Sequence, residues 1–274
     1  MAKTSLRRAR PLLGTFVEIQ AAGLPADRLE RAIAQAFAAV ARVQALMSFH
    51  DPASDLSLLN RHADRRAIHV AAPTWTVLRQ AVSLARASEG RFDPSARPGI
   101  PSRIDWRAIR LLPGRRVRFL APLTLDLGGI AKGYAVDHAV AVLRRAGVPR
   151  GIVNAGGDLR VFGDRAAPVH VRHPEKPGVF FPLGELRDGA LASSALTYAD
   201  ALVDPRDGSV CGRGLGITVL APTALLADAL TKVVAVDPVT ARPMLAHHRA
   251  RAVVIDMQGH ATWLADSQPL RHVA

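Results

Sequence analysis

A chain of 274 residues, 49% of them hydrophobic, holds enough apolar material for one large domain or two lobes. Its single cysteine, Cys211, excludes a disulfide framework and a thiolate metal cage, and no run approaches the ~18 apolar residues of a membrane span. The formal charge of +13 is carried by scattered arginines, with only four lysines (Lys3, Lys132, Lys176 and Lys232), and aromatics are only 5%; little is left for base stacking, so an anionic small molecule accounts for the charge as well as a nucleic acid does.

The opening stretch, MAKTSLRRARPLLGTFVEI, is basic but has no apolar h-region, so a cytoplasmic location is expected. Residues 12–20 alternate as a strand, and 27–48 carry the spacing of an amphipathic helix. In FHDPASDLSLLN, Asp51-Pro52 predicts a turn and Ser54 a helix start. A second helix is predicted over 74–88, closed by Gly90. RFDPSARP is then a loop, and 103–120 are basic strands joined at Pro113-Gly114. LTLDL (123–127) reads as a strand broken by Gly128-Gly129, followed by a helix that ends at Gly147. GIVNAGGDLRVFG gives two short strands around a Gly-Gly turn. Further strands are expected around 167–172 and 179–184, and SSALTYADALVDPRDG reads as a loop. LGITVLAP is a strand, Thr223 caps a helix over 224–236, and RAVVIDMQGHATWLA forms a closing hairpin. Helices and strands mix without steady βαβ alternation, which predicts an α+β fold.

Two segments carry most of the chemistry. In LDLGGIAKGYAVD, a strand, two glycines and a helix bring backbone N–H groups and a positive dipole end to one point, which suits a phosphate. A tight strand-to-helix turn explains the same residues without a ligand. The pattern is neither G-x-G-x-x-G nor a Walker A sequence. Asp126 either accepts hydrogen bonds from a ligand or caps the helix. Where nearly every basic residue is arginine, Lys132 in a glycine-rich turn points to a use for its compact ammonium.

The second segment is ADALTKVV (227–234). One face of its helix holds Leu225, Leu226, Ala229, Leu230, Val233 and Val234. The other is mostly alanine around Asp228, Thr231 and Lys232. A solvated face carries several long polar side chains, so this helix is expected to be buried on both sides. Buried charges are costly unless paired or ligated, which makes Asp228, Thr231 and Lys232 candidates for a site. The histidines show no metal-ligand spacing. Asn154 and Asp158, flanking a glycine turn, read as turn chemistry.

Taken together and in order, RPLLGT, MSFHDPASDLSLLN, GRFDPSARP, LDLGGIAKGYAVD, VNAGGDLRVFG, VDPRDG and VLAPTALLADAL resemble the ApbE family of FAD:protein FMN transferases. The resemblance covers most of the chain and implies one ApbE-like α+β domain over 1–274, as a single body or two lobes with the FAD site between them. It implies FAD as ligand, and transfer of FMN to a threonine or serine hydroxyl of an acceptor protein with release of AMP, assisted in the family by magnesium. Carried over by motif, the flavin pocket comprises Leu13, His50, Arg91, Phe92, Asp93, Asp126, Lys132 and Leu202. The metal position comprises Gly129, Asp228 and the neighbouring Thr231, and the reacting groups are Asp228 and Lys232.

The chain also departs from the family pattern. A threonine four places after the aspartate is replaced by Lys232, which has donors and no acceptor and so cannot ligate magnesium. The histidine before DPRDG is Ala201, a Thr-Ser-Gly element is Ser193-Ser194-Ala195, and the usual methionine and tyrosine near the flavin are Leu13 and His50. The sequence therefore supports either a working transferase or a weakly active or non-catalytic FAD-binding relative. A basic nucleic-acid-binding protein, suggested by charge alone, is the remote alternative; nucleic acid is not an expected partner.

Overall fold

Leu13 and Gly14, at φ 58° and 70°, form the two-residue turn of a hairpin between β1 (Ser5–Leu12) and β2 (Thr15–Ala22). The strand expected over 12–20 thus straddles a turn. Its partner β1 escapes an apolar-periodicity reading because Arg7, Arg8 and Arg10 stand exposed on the outermost strand, where charge keeps an open edge from pairing with another chain. The computed structural model describes residues 4–96, 104–176, 178–196 and 202–264.

The chain continues through α1 (Ala26–Met47), α2 (Asp55–His62), β3 (Ile68–His69), α3 (Ala72–Ala87), the hairpin of β4 (Ile109–Leu112) and β5 (Arg116–Phe119), and α4 (Ala131–Arg145). Next come β6 (Arg150–Ala155), β7 (Asp158–Phe162), β8 (Ala167–Arg172), β9 (Phe180–Leu186), β10 (Gly189–Leu196), β11 (Leu202–Val203), β12 (Val210–Cys211) and β13 (Leu215–Ala221). The last elements are α5 (Ala224–Val236), α6 (Ala241–His247), β14 (Arg251–Ile255) and β15 (Ala261–Leu264). Among the described residues, eight strands form one antiparallel sheet in the order β1-β2-β6-β7-β10-β13-β14-β15. The expected α+β class holds.

Helices α1, α4 and α5 pack on one face of this sheet. Alternate residues of β2 (Val17, Ile19, Ala21) meet Leu29, Ile33 and Phe37 of α1 in one continuous core. The β8–β9 ribbon covers part of the other face, where Val171 and Leu183 pack with Leu191, Leu220 and Val253. Strand β13, covered on both faces, is therefore buried along nearly its whole length and almost entirely apolar rather than alternating, with Thr218 its one polar side chain.

Two sequence expectations are corrected, and one helix lies beyond them. LTLDL is extended but pairs in no ladder: the Asn60 side-chain amide donates to the Leu125 carbonyl (3.0 Å) and accepts from the Leu125 N–H (2.8 Å), so one side chain satisfies what a neighbouring strand would. Residues 193–196, read as loop, are the end of β10, paired with β13. Helix α6 follows α5 too closely for a separate apolar period to show.

The buried pair α4 and α5 cap one another. Asp137 of α4 accepts the N–H groups of Ala224 (3.0 Å) and Leu225 (2.9 Å) at the start of α5. Asp228 of α5 accepts the N–H of Gly133 (3.1 Å) in the first turn of α4. These are helix-end donors with no intrahelical partner, and here water cannot reach them. The helices cross so tightly that a Cβ at Gly133 would stand 2.2 Å from the Ala224 carbonyl oxygen, which makes glycine obligatory there. Asp137 also pairs with Arg160, itself largely buried. Asp137→Ala should therefore cost about 2–4 kcal/mol, combining a lost cap with a stranded guanidinium; urea denaturation measures it, and a loss under about 0.5 kcal/mol, the ordinary surface value, would contradict the capping role.

Candidate functional site

Three walls meet at a cavity of about 300 Å³, at the small end of the range for small-molecule sites. The first wall is the extended segment and turn before α4. Asn60 fixes Leu125, the Asp126 N–H donates to the Pro94 carbonyl (2.8 Å), and one Asp126 carboxylate oxygen accepts the Gly128 N–H (2.7 Å). This leaves the exposed Asp126 carboxylate with acceptor capacity at the rim, with Gly129 behind it.

The second wall follows α3. Gly90, at φ 85°, turns the chain, and Ser88 holds it by accepting the Phe92 N–H (3.0 Å). Asp93 accepts from the Ser95 N–H (2.8 Å), the Ser95 hydroxyl (2.7 Å) and the Trp106 N–H (3.2 Å). Burial nevertheless pushes its carboxyl pKa above the ordinary value. Arg91 donates to the Ser88 carbonyl (3.1 Å) and lies between Glu89 and Asp237, while its Nε is buried without a hydrogen-bond partner.

The third wall is α5 with β11. Lys232 and Val236 face the cavity from the helix, Leu202 and Val203 from the strand. The VDPRDG turn behind them is held by Asp204, which Arg206 grips through its side chain and keeps below the usual carboxylate range.

Asp228 and Lys232 form an ion pair, and the Lys232 ammonium also donates to the Asp228 backbone carbonyl (3.0 Å). Asp228 is fully buried, whereas the Lys232 side chain keeps 20% of its surface exposed, toward the cavity. The expectation of a helix buried on both sides holds: α5 buries Ala224, Ala227, Asp228 and Thr231 as well as its apolar face.

A second pair lies close by. Lys132 donates to Asp158 (2.6 Å) on β7. Burial, the largest influence on Lys132, pulls its pKa down, but Asp228 and Asp158 together outweigh it, so the net shift is upward. Asp158 is raised to about 6, first by burial and then by repulsion from Asp228, against the pull of Lys132 and Lys232. The four side chains thus form one electrostatic cluster with two charges of each sign. Sequence reasoning gave Asp158 only a turn role, because its partner is 26 residues away.

Of the residues expected at the site, the structure gathers Arg91, Phe92, Asp93, Asp126, Gly129, Leu202 and Lys232 around the cavity, with Asp228 directly behind Lys232. Lys132 is held by Asp158 and does not line it. Thr231 is also elsewhere: its hydroxyl donates to the Asp228 carbonyl (2.7 Å) and accepts from Ser194 (3.2 Å). Leu13 sits in the β1–β2 turn, its N–H bonded to the Gln44 side chain (2.6 Å), and His50 is exposed against Phe49; neither borders the cavity. Ala201 lies outside the described residues. Asn60 and Asp137, which set the first and third walls, had no sequence signal, since each acts on a backbone more than 60 residues away.

Comparison with known proteins gives a consistent result. The ApbE family model matches residues 13–255. A Rhodobacter capsulatus FAD:protein FMN transferase is 28% identical over 255 residues, covering 80% of this chain and 49% of the relative. A Vibrio cholerae FAD:protein FMN transferase is 28% identical over 223 residues, covering 67% and 66%. The chain thus spans between about half and two thirds of the length of these two curated relatives. In three dimensions it superposes on the Thermotoga maritima ApbE protein with a TM-score of 0.80, at 24% identity, covering 94% of this chain and 96% of that one. The flavin transferase ApbE of Vibrio cholerae gives 0.77 at 21% identity, covering 97% and 98%. At these identities the structural likeness speaks for the fold.

The raised Asp158 pKa has a definite sign. A carboxyl that ionises less readily when folded stabilises the fold below its unfolded pKa of 3.8, and that contribution is lost as pH rises through about 6. The stability of the parent minus that of Asp158→Asn should therefore fall between about pH 4 and pH 6 and level off above. Urea denaturation across this window checks it; a difference independent of pH would show that Asp158 titrates normally.

Proposed function

Because the chain belongs to the ApbE family, we propose that it binds FAD in the cavity between Gly129, Leu202 and Lys232 and transfers its FMN half to a serine or threonine hydroxyl of an acceptor protein. The observation that carries this reading is the cavity itself: an aromatic and aliphatic wall of Phe92, Leu202 and Val203 opens beside Arg91, Asp126 and Lys232. Apolar walls with a few convergent charged groups are what a flat ring system joined to a diphosphate requires.

The reaction is a displacement at phosphorus. The acceptor oxygen bonds to the phosphorus on the FMN side of the diphosphate, the bond from that phosphorus to the bridging oxygen breaks, AMP leaves with that oxygen, and the hydroxyl proton is lost. Little covalent work falls to the protein, so positioning and charge neutralisation dominate. Phe92 and Leu202 hold the ring, and the open oxygen of Asp126 accepts from a ring N–H. Lys232 meets the negative charge of the diphosphate. Asp228 acts through Lys232 and is a positioning residue. Lys132, neutralised by Asp158, stands behind the cavity at the start of α4, a helix end that itself favours anions.

Two assays on the full chain test this. Quenching of flavin fluorescence should reveal FAD binding, and incubation with FAD and candidate acceptor proteins should release AMP in equal amount to covalently attached flavin, seen as a fluorescent band after denaturing electrophoresis. Binding without AMP release would instead identify a flavin-binding relative that has lost the transfer step. Absence of FAD binding would contradict the assignment of the cavity.

A further inference from the structure

Magnesium, expected from the resemblance at Gly129, Asp228 and Thr231, asks for near-octahedral oxygen coordination. The donors present do not fit it. One Asp228 oxygen accepts the Gly133 N–H, which has no other partner at the start of α4, and the other is paired with the Lys232 ammonium. The Thr231 hydroxyl is fully buried between the Asp228 carbonyl and Ser194. The space beside Gly129 is also taken: the Lys232 Cε lies 3.3 Å, and its Cδ 3.7 Å, from the point a Cβ on Gly129 would occupy. Among the described residues no group of three His, Cys, Asp or Glu side chains is arranged to hold a metal ion.

We infer that Lys232 is a tethered monovalent cation in the place of a divalent metal, and that the cavity takes up a dinucleotide diphosphate without a metal. The ligand identity rests on the FAD reading above; the exclusion of metal rests on the geometry alone. An ammonium has three hydrogens. Two are directed to Asp228, at its carboxylate and its backbone carbonyl. Among the described residues the third has no partner and is left for a phosphate oxygen, on a side chain whose exposed fifth borders the cavity. The pairing fixes the ammonium in position before a ligand arrives, which lowers the ordering cost of binding. The neighbouring Lys132–Asp158 pair is neutral as a unit, so the cavity-facing side of Lys232 is the cationic edge that the cluster offers a diphosphate.

Two measurements decide this. In the first, the full chain without flavin is titrated into manganese(II), and the electron paramagnetic resonance signal of the free ion is followed. No loss of signal is expected for the parent; uptake of one ion per chain would overturn the inference whatever FAD does. In the second, FAD affinity is measured by fluorescence quenching in EDTA and in millimolar magnesium. The parent should bind equally in both, within about twofold, and a tenfold tightening by magnesium would overturn the inference. Lys232→Thr should bind FAD about tenfold or more weakly in EDTA, the size of one charge-assisted hydrogen bond, and regain affinity with magnesium. If that variant does not fold, Lys232→Gln combined with Asp228→Asn removes both charges together and should weaken FAD similarly in either buffer; unchanged affinity would count against Lys232 as the cation. Failure of the parent to bind FAD in both buffers overturns the flavin reading and the ligand half of the inference, while the manganese titration still decides the metal half.

Discussion

The start of a buried helix presents backbone N–H groups that neither the helix nor water can satisfy, and two such helices meet at the centre of this molecule. Their solution is reciprocal: α4 lends Asp137 to α5, and α5 lends Asp228 to α4. Much of the local architecture follows. Asp228 serves the Gly133 donor from a fully buried position, where a carboxylate needs a counter-charge, and Lys232, one turn along the same helix, supplies it. The glycine at 133 then lets the two backbones approach closely enough for the caps to reach.

This arrangement couples folding to the cavity. Because Asp228 reaches the first turn of α4, the Gly128-Gly129 turn that precedes that helix is held at a fixed distance from α5, and Lys232 projects from α5 into the gap. The opposite side of the turn is fixed by Asn60, which does for Leu125 what a neighbouring strand would do. The cost appears as desolvation. Burial, and after it the nearby Asp228, raise the Asp158 pKa to about 6, and two lysines offset the two buried carboxylates. A four-charge cluster that is neutral overall but turns one ammonium toward the cavity keeps a cation next to a ligand site.

Local patterns made much of this legible in the sequence. The alanine-rich polar face of α5 announces burial on both sides, Thr223 and Ser54 announce helix starts and act as caps, and the rarity of lysine singles out the two residues that occupy the cluster. Contacts that join distant segments were not legible. Nothing near Asn60 or Asp137 signals the backbone groups they serve, and the arginines of β1 hide a strand that only borders the core, through Leu6 and Leu12. The resemblance assigned Lys132 to the flavin pocket and Thr231 to the metal position; in the structure Lys132 pairs with Asp158 and the Thr231 hydroxyl meets Ser194. A shift of one position along a helix turns a side chain by ~100°, and for Thr231 that rotation separates the cavity from the sheet.

The most direct measurement is a crystal structure of the chain grown with FAD and magnesium together. The Lys232 ammonium should lie within hydrogen-bonding distance of both Asp228 and a phosphate oxygen, with no metal between them. A metal ion bonded to Asp228, with Lys232 swung away to solvent, would contradict the tethered cation and the buried pair from which it follows.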